Sequence, residues 1–152
     1  MVLQRIASKC FRAETIMDFN PAERQEAGIL CWYDDDHYAK FVKRLDRRGR
    51  TVLVLMHRST PPNDEFVGYK TERFESKIMQ ASSVVLEGKD ASRPLALRIE
   101  AIVPQEYIFS YAVVKNGEPG QFIPVGSPVD ARTLSTRHCA GHQGTMVGVY
   151  AY

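Results

Sequence analysis

Three consecutive carboxylates, Asp34-Asp35-Asp36, stand directly before His37. Carboxylate oxygens suit calcium, which takes about six to eight hard oxygen ligands. Successive side chains of an extended chain point to opposite sides, however, and the run lacks the Asp-x-Asp-x-Asp-Gly spacing of a loop that wraps an ion. A solvated turn between strands is the competing reading, so Asp34, Asp35 and Asp36 are weak calcium candidates, and no other cofactor is called for. His138-Cys139 with His142 offers imidazole and thiolate, the ligand types of zinc, but neighbouring His and Cys rarely share an ion and no fourth ligand is marked.

A second kind of chemistry needs paired carboxylates. Cleavage of a glycosidic bond takes two of them about 5–10 Å apart, one with a raised pKa. Glu14, Glu100 and Glu106 can line one sheet face, yet Arg98 shares that face with Glu100, and opposite charges on a strand surface form structural ion pairs. The sequence nominates no acid and nucleophile. A third kind needs flat aromatic faces beside planar polar groups, because sugar rings have apolar C–H faces and hydroxyl rims. Trp32, Tyr33, Tyr38, Tyr107 and Tyr111 fall on strands or their ends, and Arg98 and Glu100 can complete such a platform. The alternative use of these aromatics is to fill the core, and Trp32 is the best single candidate for exposure.

The elements that must position these residues announce themselves by alternation. Leu95, Leu97, Ile99, Ala101 and Val103 are apolar at every second position, and so are Phe11, Ala13, Met17 and Phe19 with Thr15 among them. Tyr107, Phe109, Tyr111 and Val113 make an aromatic face in a run that ends at the turn signal Asn116-Gly117. Tyr38 to Leu45 and Thr51 to His57 flank Asp46-Arg47-Arg48-Gly49 and read as a hairpin. Further strands are expected at Gly28 to Tyr33, Ser83 to Glu87, Gln121 to Val125 and Thr145 to Tyr152, the last buried on both faces. Lys70 to Gln80 suits one short helix or an irregular strand, inside a long excursion from Arg58 to Gln80. Many short strands between turns predict an all-β antiparallel sandwich.

Composition bounds the rest. At 152 residues, 44% hydrophobic and 25% charged, the chain suits one domain, 1–152, with one core. A net charge of +2 is too small to drive binding to a polyanion, so no nucleic acid partner is expected. Lys40, Lys43, Arg44, Arg47, Arg48 and Arg50 do crowd one hairpin, where they can contact phosphate or, the blander use, guard an exposed sheet edge. Cys10, Cys31 and Cys139 are scattered like reduced thiols, and with no secretory signal or membrane-length apolar run the expected setting is cytoplasmic, away from membranes.

Phe19-Asn20-Pro21, Glu26-Ala27-Gly28-Ile29-Leu30 and Tyr33-Asp34-Asp35-Asp36-His37-Tyr38 resemble the Phe-x-Pro, Ala-Gly-Leu and Tyr-x-Asp-x-x-Tyr run of concanavalin A-like accessory domains. Val125-Gly126, Val129-Asp130, Leu134-Ser135-Thr136 and Gly144-Thr145-Met146-Val147-Gly148-Val149-Tyr150-Ala151 are similar to the close of the C-terminal domain of family 43 glycoside hydrolases, the β-xylosidase and arabinofuranosidase group. The resemblance implies a concanavalin A-like jelly-roll β-sandwich that sits behind a five-bladed propeller carrying the catalytic carboxylates, a propeller without counterpart in this sequence. It also implies a closing loop that reads Gly-Phe-Thr-Gly and helps shape the sugar site. The matching positions here read Gly141-His142-Gln143-Gly144, so His142 would offer a hydrogen bond in place of an aromatic wedge, and Phe122 stands where the family often has Trp.

The reading is therefore a non-catalytic β-sandwich module, carbohydrate-binding or accessory to a glycoside hydrolase catalytic domain, with no activity expected of the chain alone. Its candidate contacts are Trp32, Tyr38, Arg98, Glu100, Tyr107, Tyr111 and His142, and its ligand an oligosaccharide derived from xylan or arabinan. One alternative is a glycoside hydrolase, xylosidase- or arabinofuranosidase-like, using carboxylates of the concave sheet. Another is a protein–protein interaction module. A two-fold homodimer built on a sheet edge or face is also expected.

Overall fold

The period-two alternation becomes two antiparallel sheets whose apolar faces meet. The computed structural model describes residues 1–60, 75–139 and 143–152. The larger sheet runs, in order, β1 (Val2–Arg5), β12 (Met146–Ala151), β3 (Glu26–Asp34), β4 (His37–Leu45), β5 (Thr51–Ser59) and β6 (Lys77–Val85). The smaller runs β10 (Ile123–Pro124), β8 (Glu106–Lys115), β7 (Leu95–Ala101) and β2 (Phe11–Met17), with β9 (Glu118–Pro119) and β11 (Val129–Asp130) also paired to β8. A lone helical turn, α1 (Thr136–Cys139), and two 3-10 turns complete the described elements. This is the all-β antiparallel sandwich the alternation calls for.

The core lies between the sheets and takes one residue in two from each strand. Ile29 and Cys31 of β3, Ala39 and Phe41 of β4, and Leu53 and Leu55 of β5 face Leu95, Leu97 and Ile99 of β7 and Phe109 and Tyr111 of β8. Phe41 and Phe109 meet edge to face across the layer, ring centroids 6.1 Å apart. Each such side chain stabilises by ~1.5–3 kcal/mol on burial, so this layer dominates the favourable side of folding. The hairpin turns form as their chemistry requires. Asn116 and Gly117 both take positive φ, the type I′ requirement between β8 and β9, and Gly49 does so between β4 and β5.

Several expectations change on the described fold. The basic hairpin is not at an edge, because β3 and β6 flank β4 and β5 on both sides, so its cations guard no strand end. β12 has neighbours on both sides, yet Val149 and Ala151 on its inward row and Tyr152 beyond its end remain exposed, against the expectation of full burial. β7 ends at Ala101, leaving Ile102 and Val103 exposed. The strand expected at 83–87 starts earlier, at Lys77, absorbing the end of the ambiguous 70–80 segment; Glu75 and Ser76 precede it outside any helix or strand, and 70–74 lie outside the described residues. The strand expected at 121–125 shrinks to Ile123–Pro124, with Val125 N just beyond it still donating to the Phe109 carbonyl at 2.9 Å. Among the described residues no helix is long and apolar enough to cross a membrane.

Candidate functional site

Directly opposed residues of neighbouring antiparallel strands share a face, so register decides which side chains meet. On the outer face of the larger sheet, one row reads Met146, Trp32, Tyr38 and Arg58 across β12, β3, β4 and β5. The next reads Gly148, Leu30, Lys40 and Met56, and the third Tyr150, Gly28, Val42 and Val54. The last places Glu26 beside Arg44 and Val52. Trp32 and Tyr38 are thus cross-strand neighbours, each half-buried, with the Tyr38 hydroxyl directed at Met56 Sδ 4.0 Å away.

Val42, Val52 and Val54 form a small apolar cluster under this face, against which Met56 and Tyr150 pack. Gly28 belongs at its centre for a steric reason: a Cβ there would stand 2.0 Å from the Phe41 carbonyl oxygen. The polar members are tied down. Lys40 Nζ hydrogen-bonds Glu26 and lies 5.7 Å from the Tyr150 ring centroid, and Arg44 Nη1 approaches Glu26 at 3.8 Å. Burial, with the Glu26 carboxylate beside it, pushes the Tyr150 phenol up to about 12. The result is a surface of aromatic and thioether groups with a neutralised ion pair in its floor, the mix that holds a sugar ring by its apolar face.

The other expected contacts do not join it. Arg98 and Glu100 lie on the outer face of the smaller sheet, on the far side of the sandwich. There Arg12 binds Glu100 at 2.7 Å, Arg98 binds Glu14 at 2.9 Å and approaches Glu100 at 3.8 Å, and the Arg98 guanidinium stacks 3.4 Å above the Phe122 ring centroid. Those partners satisfy the ladder internally and leave no paired acid and base facing a cleft. Tyr107 and Tyr111 point inward and are buried, Tyr107 edge-on to Phe11 with its phenol pushed up to about 12 by that burial. They fill the core, the use that competed with sugar binding. His142 lies outside the described residues.

The Asp34–His37 run turns out to be a hydrogen-bonded turn. His37 Nδ1 donates to Asp34 Oδ1 at 2.7 Å, Asp36 N donates to the same oxygen, and Asp36 Oδ1 accepts from Ser76 and Arg58. Asp35 is exposed at the tip. Among the described residues no three His, Cys, Asp or Glu side chains gather where they could hold a metal ion. His138 instead reaches Thr60, its Nε2 2.8 Å from Oγ1 and 3.1 Å from the carbonyl oxygen, and burial holds it below the ordinary histidine range. The cysteines are all free, and burial pushes Cys139 up to about 12.

Two buried polar residues escaped the sequence reading. Lys43 was counted among the basic hairpin residues, but it falls in the inward row with Ala39 and Phe41 and is fully buried, donating to the Phe19 carbonyl at 2.7 Å. Desolvation lowers its pKa. His57, in the inward row of β5, bonds Thr133 Oγ1 at 2.9 Å, and because Thr133 spends its own proton on the Asp130 carbonyl, the His57 Nε2 is the donor. Burial lowers His57 to about 4. The period-two count at Leu53, Leu55, His57 was the signal available for it.

A family model described as a β-xylosidase C-terminal concanavalin A-like domain matches residues 1–152. Among solved structures, a GH43_12 protein retrieved from capybara gut metagenome is 25% identical with a TM-score of 0.73, over 99% of this chain and 25% of that one. The xyloglucan-locus GH43B protein of Bacteroides ovatus is 20% identical with a TM-score of 0.71, over 95% and 24%. A xylan β-1,4-xylosidase from Bacillus halodurans is 18% identical with a TM-score of 0.71, over 98% and 25%. The chain thus spans about a quarter of the length of these proteins. No protein of curated function matches the sequence.

Proposed function

The chain belongs to the β-xylosidase C-terminal concanavalin A-like domain family, and from that premise we propose that it is an accessory module of glycoside hydrolysis that holds a xylan- or arabinan-derived oligosaccharide on the outer face of its larger sheet. The observation that carries this reading is the Trp32–Tyr38 cross-strand pair with Met56 and Tyr150 on the same face. Aromatic faces stack on the C–H faces of sugar rings, and the nearby Lys40, Glu26 and Arg44 supply donors and acceptors for hydroxyls. Catalysis is assigned to a separate domain, because the carboxylates of the smaller sheet are consumed in ion pairs. Calorimetric titration with xylohexaose and arabinohexaose is the test: millimolar or tighter binding that Trp32→Ala abolishes supports the reading, and heat unchanged by that substitution refutes it.

A second reading is favoured by Met56, partly exposed over the buried Val42, Val52 and Val54 on the same face. There the face packs on a glycoside hydrolase catalytic domain and contributes to the sugar site only at the seam. Co-purification with a family 43 catalytic domain, lost on Met56→Asp, separates this from direct sugar binding. A homodimer would use a different surface. Among the described residues β6 pairs only with β5, and Ile78, Met79 and Val85 of β6 are exposed. Sedimentation of the chain with Met79→Lys against the unchanged chain tests that pairing.

A further inference from the structure

The rows of the larger sheet end in a cleft of about 340 Å³ lined by Arg24, Glu26, Arg44, Leu45, Tyr150 and Tyr152. Two guanidiniums face it against one carboxylate, and that carboxylate is already engaged by Lys40 and approached by Arg44 Nη1. Arg44 Nε is buried and has no hydrogen-bond partner among the described residues. A buried donor without a partner, in a residue that lines a cleft, calls for an explanation. Beyond Leu45 the turn adds Arg47 and Arg48, both exposed, while Asp46 is held by Arg50 at 2.8 Å and Glu23 stands exposed beside Arg24.

Arg24 gives an independent sign. It is a non-glycine residue at φ 64, in the tight turn closed by the hydrogen bond from Gln25 N to the Ala22 carbonyl. Side chains other than Gly, Asn and Asp rarely take this left-handed conformation, and such backbone strain persists where function holds it. What the strain secures here is an exposed arginine lining the cleft together with Tyr150 and Tyr152. A volume near the lower end of the ~300–1,000 Å³ range of small-molecule sites suits a saccharide unit or two.

We infer that this cleft takes the carboxylate of a uronic acid, so that the module prefers an acidic, uronate-bearing saccharide to a neutral one. Arg24 presents a planar fork that matches a carboxylate in a bidentate way, Arg44, whose Nη1 approaches Glu26, adds positive charge beside it, and the tyrosines offer ring faces and hydroxyls to the sugar that bears it. The cleft opens at the Tyr150 end of the Trp32–Tyr38 face, so neutral residues of the same oligosaccharide can continue along the rows. The inference rests on the sugar-holding role proposed above for that face.

Calorimetry on the whole chain decides, with glucuronate-substituted xylotetraose, plain xylotetraose and sodium phosphate as separate probes. The expected result is at least tenfold tighter binding of the acidic sugar, an advantage that shrinks as salt rises and that Arg24→Gly removes while leaving xylotetraose binding alone. Gly accepts positive φ without strain, so that variant should melt no lower than the parent and its loss of selectivity is not a folding defect. Equal affinity for acidic and neutral sugars, or selectivity that survives Arg24→Gly, overturns the inference and spares the sugar-holding role. Phosphate that binds as tightly as the acidic sugar marks a simple anion site and also overturns it. Failure of both sugars to bind overturns the inference together with the role it rests on.

Discussion

The two outer faces of the sandwich obey the same alternation and end in opposite states. On the smaller sheet, Arg12, Glu100, Arg98 and Glu14 pair with one another, and Phe122 lies beneath the Arg98 guanidinium. On the larger sheet, Trp32, Tyr38, Met56 and Tyr150 stand half-buried, the last two packed on a valine cluster, with the Lys40–Glu26 pair largely withdrawn from solvent. A face that satisfies its own charges has nothing left to offer a ligand. A face that leaves aromatic and thioether surface partly uncovered does, which is why the functional reading settles on the larger sheet although sequence placed Arg98 and Glu100 in the site.

The comparison holds only while the layer between the faces is intact, and the largest effect belongs there. Phe41→Ala removes a fully buried ring that meets Phe109, and it should cost ~3–5 kcal/mol in urea denaturation, with both faces lost together. The next effect is a pH dependence from the same layer. His57 is neutral in the fold down to about pH 4, whereas unfolded it would titrate near 6.5. The unfolded chain therefore binds the proton first, so stability present above pH 6.5 falls as pH drops toward 4, by roughly 3 kcal/mol in full. Denaturation midpoints between pH 7.5 and 4.5 (about the window set by those two values) should show the decline, and His57→Gln should flatten it.

Ion pairs then set the faces against each other. Lys40→Met leaves the Glu26 carboxylate, whose side chain is only 11% exposed, with Arg44 alone at 3.8 Å, and should cost about 2 kcal/mol. Glu14→Gln on the opposite face breaks the Arg98 pair at a third-exposed carboxylate and should cost less than about 1 kcal/mol, because solvent screens it. Equal costs from thermal melts of the two variants would mean that the faces do not differ in burial as described.

Much of the frame was legible because alternation is a local property. Leu95, Leu97, Ile99 and Ala101 are buried as counted, Tyr107 to Val113 forms the inward aromatic face, and Asn116-Gly117 turns where its backbone preferences demand. The family motifs from Phe19 to Tyr38 and from Val125 to Ala151 carried the fold class as well. What could not be read was register and strand order, which are set by contacts far apart in sequence. Without them Tyr107 and Tyr111 looked as available as Trp32, and Arg98 looked like its neighbour when the core lies between them. Lys43 shows the same limit at a single residue. Its place in a run of cations suggested solvent, while its parity with Phe41 put it in the interior, where the Phe19 carbonyl rewards it.

The central claim is that the outer face of the larger sheet is the working surface. Amide chemical-shift mapping of the chain during titration with xylohexaose tests it most directly. The account predicts shifts clustered at Trp32, Tyr38, Met56 and Tyr150, with Arg12, Glu14, Arg98 and Glu100 unmoved. Shifts centred on the Arg98–Glu100 ladder, or none at millimolar sugar, would contradict it.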